Sequence, residues 1–171
     1  MKALLQAGGA GVGIFPQANY AYFYNRSGGA LAKGDVVMVD CVTGPQAEST
    51  STDPGGEGDS VFSNVDAPTA AGIQYGILAV CVEEDGVADN AKGRFLISGV
   101  TDEAFVIRAT SNIAIGDPLV ATTAKNLDGV TAVDERVVGI ALEAQTTPTT
   151  RTLSKVWFNG LPGGFGMDCG S

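Results

Sequence analysis

The sequence predicts a mainly β protein, on three observations. It carries 24 glycines in 171 residues. Its Val, Ile and Thr gather in short clusters instead of spreading along helical faces. Turn formers recur between these clusters, giving about nine short strands at the spacing of a barrel or sandwich. With 44% hydrophobic residues the chain can bury one compact core. Helix is expected to be a minor component.

Residues 1–18 read as a Gly/Ala-rich arm. Its "GGAGVG" lacks the Lys and Ser/Thr of a phosphate loop, and Ile14, Phe15 and Pro16 do not start the helix a dinucleotide fingerprint needs. "NYAYFYNRSG" follows, in which Tyr20, Tyr22 and Tyr24 alternate with Ala21 and Phe23, the period of a strand. Three tyrosines therefore share one face, ahead of Arg26. Tyrosine combines apolar area with a polar tip, so this face either meets a partner or packs against the body of the same chain.

"LAKGDVVMVDCV" gives a turn and a short strand, after which residues 43–72 form a long stretch rich in Pro, Gly, Ser, Thr and acid. Asp53, Glu57 and Asp59 lie in it, but their spacing departs from a calcium-binding EF-hand loop and no metal is expected. "YGILAVCVEED" reads as an apolar strand ending in acids, and "KGRFLISGV" and "EAFVIRAT" as two strands parted by a turn around Gly99 and Asp102. "IGDPLVATTA" is the next strand, "KNLDG" a polar turn, "VTAV" a strand and "VVGIALEAQTT" another. The last strand, "RTLSKVWFNG", carries Trp157 and Phe158 before a Gly-rich tail. The strands at 77–82 and 138–142 are expected at the centre of the core, with Ile140 among its buried residues.

Two Gly-Asp pairs stand out, Gly34–Asp35 and Gly116–Asp117, each before a strand and each followed later by an apolar Gly-Ile strand. Two carboxylates can act as acid and base if they converge in one pocket. They can equally be turn residues, since Gly permits a positive φ and Asp accepts hydrogen bonds from nearby backbone N–H groups. The second reading explains both pairs with one cause.

The chain has no histidine, which removes Ser-His-Asp and Cys-His catalysis and His-ligated metal sites. No cofactor motif is present, and no enzyme is expected. A net charge of −9 with no basic cluster argues against a nucleic-acid partner. The stretch from Asp35 to Asp89 holds eleven acids and no base, whereas Lys2, Arg26 and Lys33 precede it without an acid. Such asymmetry suits either solubility or docking onto a neighbouring copy. Three cysteines without metal-ligand spacing read as free thiols, Cys41 and Cys81 as small core residues and Cys169 in the tail. No segment approaches the roughly 18 apolar residues that span a membrane, so no membrane partner is expected.

In order, "GDVVMVD", "YGILAVCVEE", "GRFLISGV", "AIGDPLVATT", "DGVTAV" and "VVGIALEA" resemble the repeated phrases of tailed-bacteriophage capsid cement, or head decoration, proteins. The resemblance covers about residues 31–158. It implies a small β-barrel or tulip-like domain that forms a homotrimer on the outer surface of an icosahedral head, clamping neighbouring major capsid subunits. It implies no catalytic residues and a virion location after assembly in the host cytoplasm.

The expected organisation is an N-terminal arm with the Tyr-rich strand at 1–30, the barrel at 31–160 with its insertion at 43–72, and a tail at 161–171. Tyr20, Tyr22, Tyr24, Arg26, Trp157 and Phe158 are the candidate partner-binding residues. The alternative is a carbohydrate-binding or adhesion module of a virion, resting on the Tyr face, Trp157 and the acidic loop at 43–72.

Overall fold

The computed structural model describes residues 17–40, 64–106, 112–131, 135–146 and 150–163. Among these residues run β1 (Asn19–Asn25), β2 (Val36–Asp40), β3 (Asn64–Asp66), α1 (Ala70–Tyr75), β4 (Ile77–Cys81), β5 (Lys92–Val106), β6 (Pro118–Ala121), β7 (Leu127–Gly129), β8 (Val137–Ala141) and β9 (Thr152–Asn159). The protein is mainly β and contains a closed five-stranded barrel.

All nine strands belong to one sheet, and its pairings close twice. In the first ring β1 lies parallel to β3, β3 antiparallel to β2, β2 to β4 and β4 to β5, and β5 returns antiparallel to β1. In the second ring β5 lies parallel to β7, β7 antiparallel to β6, β6 to β8 and β8 to β9, and β9 returns antiparallel to β5. The two rings match strand for strand. β5 is the last strand of the first and the first strand of the second: Lys92–Ser98 pairs with β1 and Ser98–Val106 with β9.

Each ring has its own apolar filling. Phe23, Val37, Val39, Val65, Ala79, Cys81 and Phe95 meet inside the first, while Leu119, Ala121, Leu127, Ala141, Val156 and Phe158 belong to the larger cluster of the second. Val36, Leu78, Val80 and Leu96 point the other way along the same first-ring strands and join that larger cluster. β2 and β4 are thus buried on both faces, which is why "VVMV" and "ILAVC" are continuous apolar runs without alternation. Each such side chain contributes roughly 1.5–3 kcal/mol by leaving water.

α1 is a single six-residue element, capped by the Thr69 hydroxyl, which accepts from Gly72 N at 3.1 Å. A Cβ on Gly72 would stand 1.8 Å from the Met38 sulfur, so the Met38 side chain would have to move to admit one. The helix is too short to hold itself. The Arg136 guanidinium anchors its end, donating to the carbonyls of Ile73 at 3.1 Å and Gly76 at 2.6 Å, and to those of Gly160 at 2.9 Å and Leu161 at 2.5 Å beyond β9.

Several expectations need correction. "KGRFLISGV" and "EAFV" are one 15-residue strand, because the expected turn is a shift of register between Thr101 and Ala104. "KNLDG" is not only a turn: Leu127 points inward with 0% exposure and starts β7. The stretch at 43–72 contains β3 and the start of α1, and the residues of "VTAV" that are described lie outside any strand. The core strand at 77–82 is buried from Leu78 to Val82, but Ile140 is half-buried because the β8 alternation turns it outward. Ile140→Ala should therefore cost only about 1 kcal/mol in urea denaturation, well below a buried Ile truncation.

Cys81 and Ala141 occupy the same place in the two rings, each beside a Gly-Asp pair. Burial pushes the Cys81 thiol up to about 11, whereas an unfolded thiol ionises near about 8.5. Between those values the native state holds a proton that the unfolded chain has released, so stability falls as pH rises through this window. At about 1.4 kcal/mol per pH unit over about 2.5 units, the loss is at most about 3.5 kcal/mol. Cys81→Ala supplies the residue that the second ring already uses. Denaturation curves at several pH values should show that it removes this part of the alkaline loss.

Candidate functional site

The two Gly-Asp pairs are the same joint, bond for bond. At the first, Asp35 Oδ2 accepts from Ala32 N at 3.0 Å, Gly34 N donates to Cys81 O at 2.8 Å and Cys81 N to Asp35 O at 2.9 Å. At the second, Asp117 Oδ2 accepts from Ala114 N at 2.8 Å, Gly116 N donates to Ala141 O at 2.8 Å and Ala141 N to Asp117 O at 2.9 Å. Gly34 and Gly116 have φ of 87° and 94°, a region glycine enters without steric cost. The bridges Leu31↔Val87 and Ile113↔Gln145 flank them equivalently. Both aspartates therefore work as turn residues, as the simpler sequence reading expects.

Their surroundings differ. The first corner is buried against β5 and β9, where Asp35 forms an ion pair with Arg151, whose guanidinium lies 4.2 Å from the Phe105 ring centre. Beside it, the hydrogen bonds that Lys33 donates to the Glu103 and Glu84 carboxylates hold its ammonium above its ordinary range, with Nζ at 2.7 and 2.5 Å from them. The second corner opens outward. No described atom lies within 4 Å of where a Gly116 Cβ would stand, and Ile115 is 69% exposed.

The outer face of β1 is the most distinctive surface. Phe23 turns into the first ring, so Tyr20 and Tyr22 turn out, 49% and 62% exposed, with Tyr24 half-buried beyond them. The register sets Arg94 opposite Tyr22 and Lys92 opposite Tyr24. Arg94 lies 5.1 Å from the Tyr20 ring centre, and Lys92 and Arg26 lie 5.3 and 5.8 Å from that of Tyr24. Cations at such distances are attracted to the ring faces.

The structure thus brings Tyr20, Tyr22, Tyr24 and Arg26 together, as the sequence proposes, and adds Lys92 and Arg94. Nothing in the sequence marks those two, because their place depends on the pairing of β5 with β1. Phe158 does not belong to this surface: it is 0% exposed inside the second ring. Trp157 is half-buried on the outside of that ring, opposite Val100 and Ile140. Asp53, Glu57 and Asp59, weighed for calcium, lie outside the described residues.

A cleft of about 510 Å³ between α1 and β6–β7 is lined by Ile73, Gln74, Thr122, Asp128 and Arg136 among others. Four main-chain carbonyls already take the Arg136 guanidinium there.

Fold and surface together define a duplicated β-ring protein with an aromatic, cationic outer face. No protein-family model matches the chain, and no curated protein matches it. Among solved structures it is similar to the head fiber gp8.5 N base in bacteriophage phi29, with a TM-score of 0.44 and 11% identity, over 85% of this chain and 98% of that one.

Proposed function

We propose that this chain is a structural protein of a tailed-bacteriophage head. In this reading it is a cement protein that sits as a homotrimer on the outer capsid surface and clamps neighbouring major capsid subunits. The ordered phrases from Gly34 to Ala144 carry the proposal, because they supply both Gly-Asp corners and the strands β2, β4, β6 and β8, with much of the shared β5. A clamp needs exposed anchors, and Tyr and Arg are the residues that most often supply binding energy at protein interfaces. Tyr20, Tyr22 and Arg94 are such anchors on an otherwise acidic chain, with the half-buried Arg26 beside them. Each copy needs about 1,000 Å² or more of contact to bind specifically, and icosahedral symmetry then multiplies modest contacts by avidity. The role requires neither catalysis nor a cofactor, and the Gly-Asp carboxylates are engaged in turns.

The test mixes the purified chain with heads of the phage that encodes it. Co-sedimentation and greater resistance of the heads to heat are expected; a chain that stays in the supernatant at every concentration removes the proposal. The exposed tyrosines also suit the carbohydrate reading, and a glycan array signal lost in Tyr22→Ala would favour that one instead.

A further inference from the structure

We infer that the Gly116–Asp117 corner is a docking site for an arginine-bearing β-strand of another protein. The inference rests on the proposed function, in which that protein is the major capsid subunit. The first corner shows what such a joint accepts, because the chain makes the contact once with itself. Phe105 N donates to Gly34 O at 3.0 Å, and Arg151, stacked on the Phe105 ring, pairs with Asp35 Oδ1. The bare Gly34 Cα lets this seat close in: a Cβ there would lie 2.5 Å from the Glu103 carbonyl and 2.4 Å from Leu153 Cδ2. A main-chain N–H, a guanidinium and an apolar side chain therefore complete a Gly-Asp corner.

The second corner has the same internal bonds and none of these outer ones. Asp117 Oδ2 accepts from Ala114 N at 2.8 Å, as Asp35 Oδ2 does from Ala32 N at 3.0 Å. Among the described residues no hydrogen bond reaches Gly116 O or Asp117 Oδ1, and no atom lies within 4 Å of where a Gly116 Cβ would stand. The corner thus presents a carbonyl and a carboxylate oxygen, held in the geometry that already binds an N–H and a guanidinium elsewhere in the chain. One difference refines the partner. Lys33, which pairs with Glu84 and Glu103, has Ile115 as its counterpart, and Ile115 is 69% exposed. The partner therefore offers an apolar residue where the first seat offers Glu103.

Charge selects the occupant. On a chain of net charge −9, a carboxylate oxygen is better complemented by a cation from another protein than by a further acidic copy. The corner lies on the second ring and the Tyr20–Tyr22 face on the first, so a clamp has one hold on each ring.

Gly116→Ala and Asp117→Asn test the joint by shape and by charge. The free chain has room for the alanine methyl group, whereas a seat as close as the first one does not. Asp117→Asn keeps an oxygen for Ala114 N and loses the charge for the guanidinium. Thermal melts check that both variants fold. Co-sedimentation of the full chain with heads of the phage that encodes it should show binding weakened at least about tenfold in each variant, and a shallower salt dependence in Asp117→Asn. Variants that bind heads like wild type overturn the inference and leave the proposed function standing. A wild-type chain that does not bind heads removes the proposed function and the inference with it. Sedimentation velocity on the free chain separates the other occupant: variants that lose self-association assign the corner to a second copy and overturn the inference, even where head binding falls as well.

Discussion

Gly34→Ala is expected to cost at least about 4 kcal/mol, or to prevent folding, while Gly116→Ala costs only about 1 kcal/mol. Both residues hold a positive φ, 87° and 94°, in the same hydrogen-bonded corner. An L side chain in that region costs about 1–2 kcal/mol, partly offset by the about 0.4–1 kcal/mol that alanine removes from unfolded-chain entropy. That balance is all Gly116→Ala should show, since nothing described lies within 4 Å of the new methyl group. At Gly34 the methyl group would also meet the Glu103 carbonyl at 2.5 Å and Leu153 at 2.4 Å. Overpacking of a fixed neighbour typically adds about 1–3 kcal/mol, and a clash with backbone stands at the upper end or beyond. Urea denaturation at low protein concentration, where association contributes nothing, measures both. Equal costs would show that the first corner is not seated on β5 and β9.

This pair also shows what was legible in the sequence. The Gly-Asp corners could be read because their chemistry is local: Gly supplies φ, and Asp accepts from a backbone N–H three residues earlier. The Tyr20–Tyr22–Tyr24 alternation was legible for the same reason, as a period of two says which residues share a face. β7 was not, because a three-residue strand in "KNLDG" carries one apolar residue, Leu127, and is defined only by its partners. Nor were Lys92 and Arg94 as members of the Tyr face, or Arg151 as the partner of Asp35, 116 residues away in sequence. Ile140 and Phe158 failed in opposite directions, one turned out and the other in, since an apolar strand does not announce which face is covered.

The shared strand explains how one sheet makes two rings. Gly99, at φ 125°, lets Ala18 approach where a side chain would stand, and the register shift between Thr101 and Ala104 redirects β5 just beyond it. Irregularities of this kind bend a strand and increase its twist. The outer residues Val80 and Leu96 of the first ring then fall against the second ring's cluster. The rings are thus held together by burial as well as by the corner and Arg136, and the structural role proposed here needs such rigidity between the surfaces that would bind.

Arg136→Ala should cost about 3–5 kcal/mol, a loss as large as that of a buried aromatic residue. Its guanidinium donates to four main-chain carbonyls, two from α1 and the residue that ends it and two from the segment after β9. Hydrogen bonds to charged groups are each worth about 1.5–3 kcal/mol, but they share one side chain and their effects do not add. Removing the donor takes a partner from the Ile73, Gly76 and Leu161 carbonyls, of which the exposed Leu161 recovers water, while Gly160 O still accepts from Leu78 N at 2.8 Å. Burial also lowers the Arg136 pKa, without neutralising a group that proteins do not deprotonate at ordinary pH. Arg136→Lys keeps the charge but has no planar fork to span both segments, so it should recover less than half of the loss. Since these contacts lock α1 to the end of β9, hydrogen exchange should report the damage first at Gly76 N, which closes the helix onto Gly72 O at 2.8 Å. A fully stable Arg136→Ala with unchanged exchange at Gly76 would mean that apolar contact alone holds the helix, and that the guanidinium merely occupies the cleft beside it.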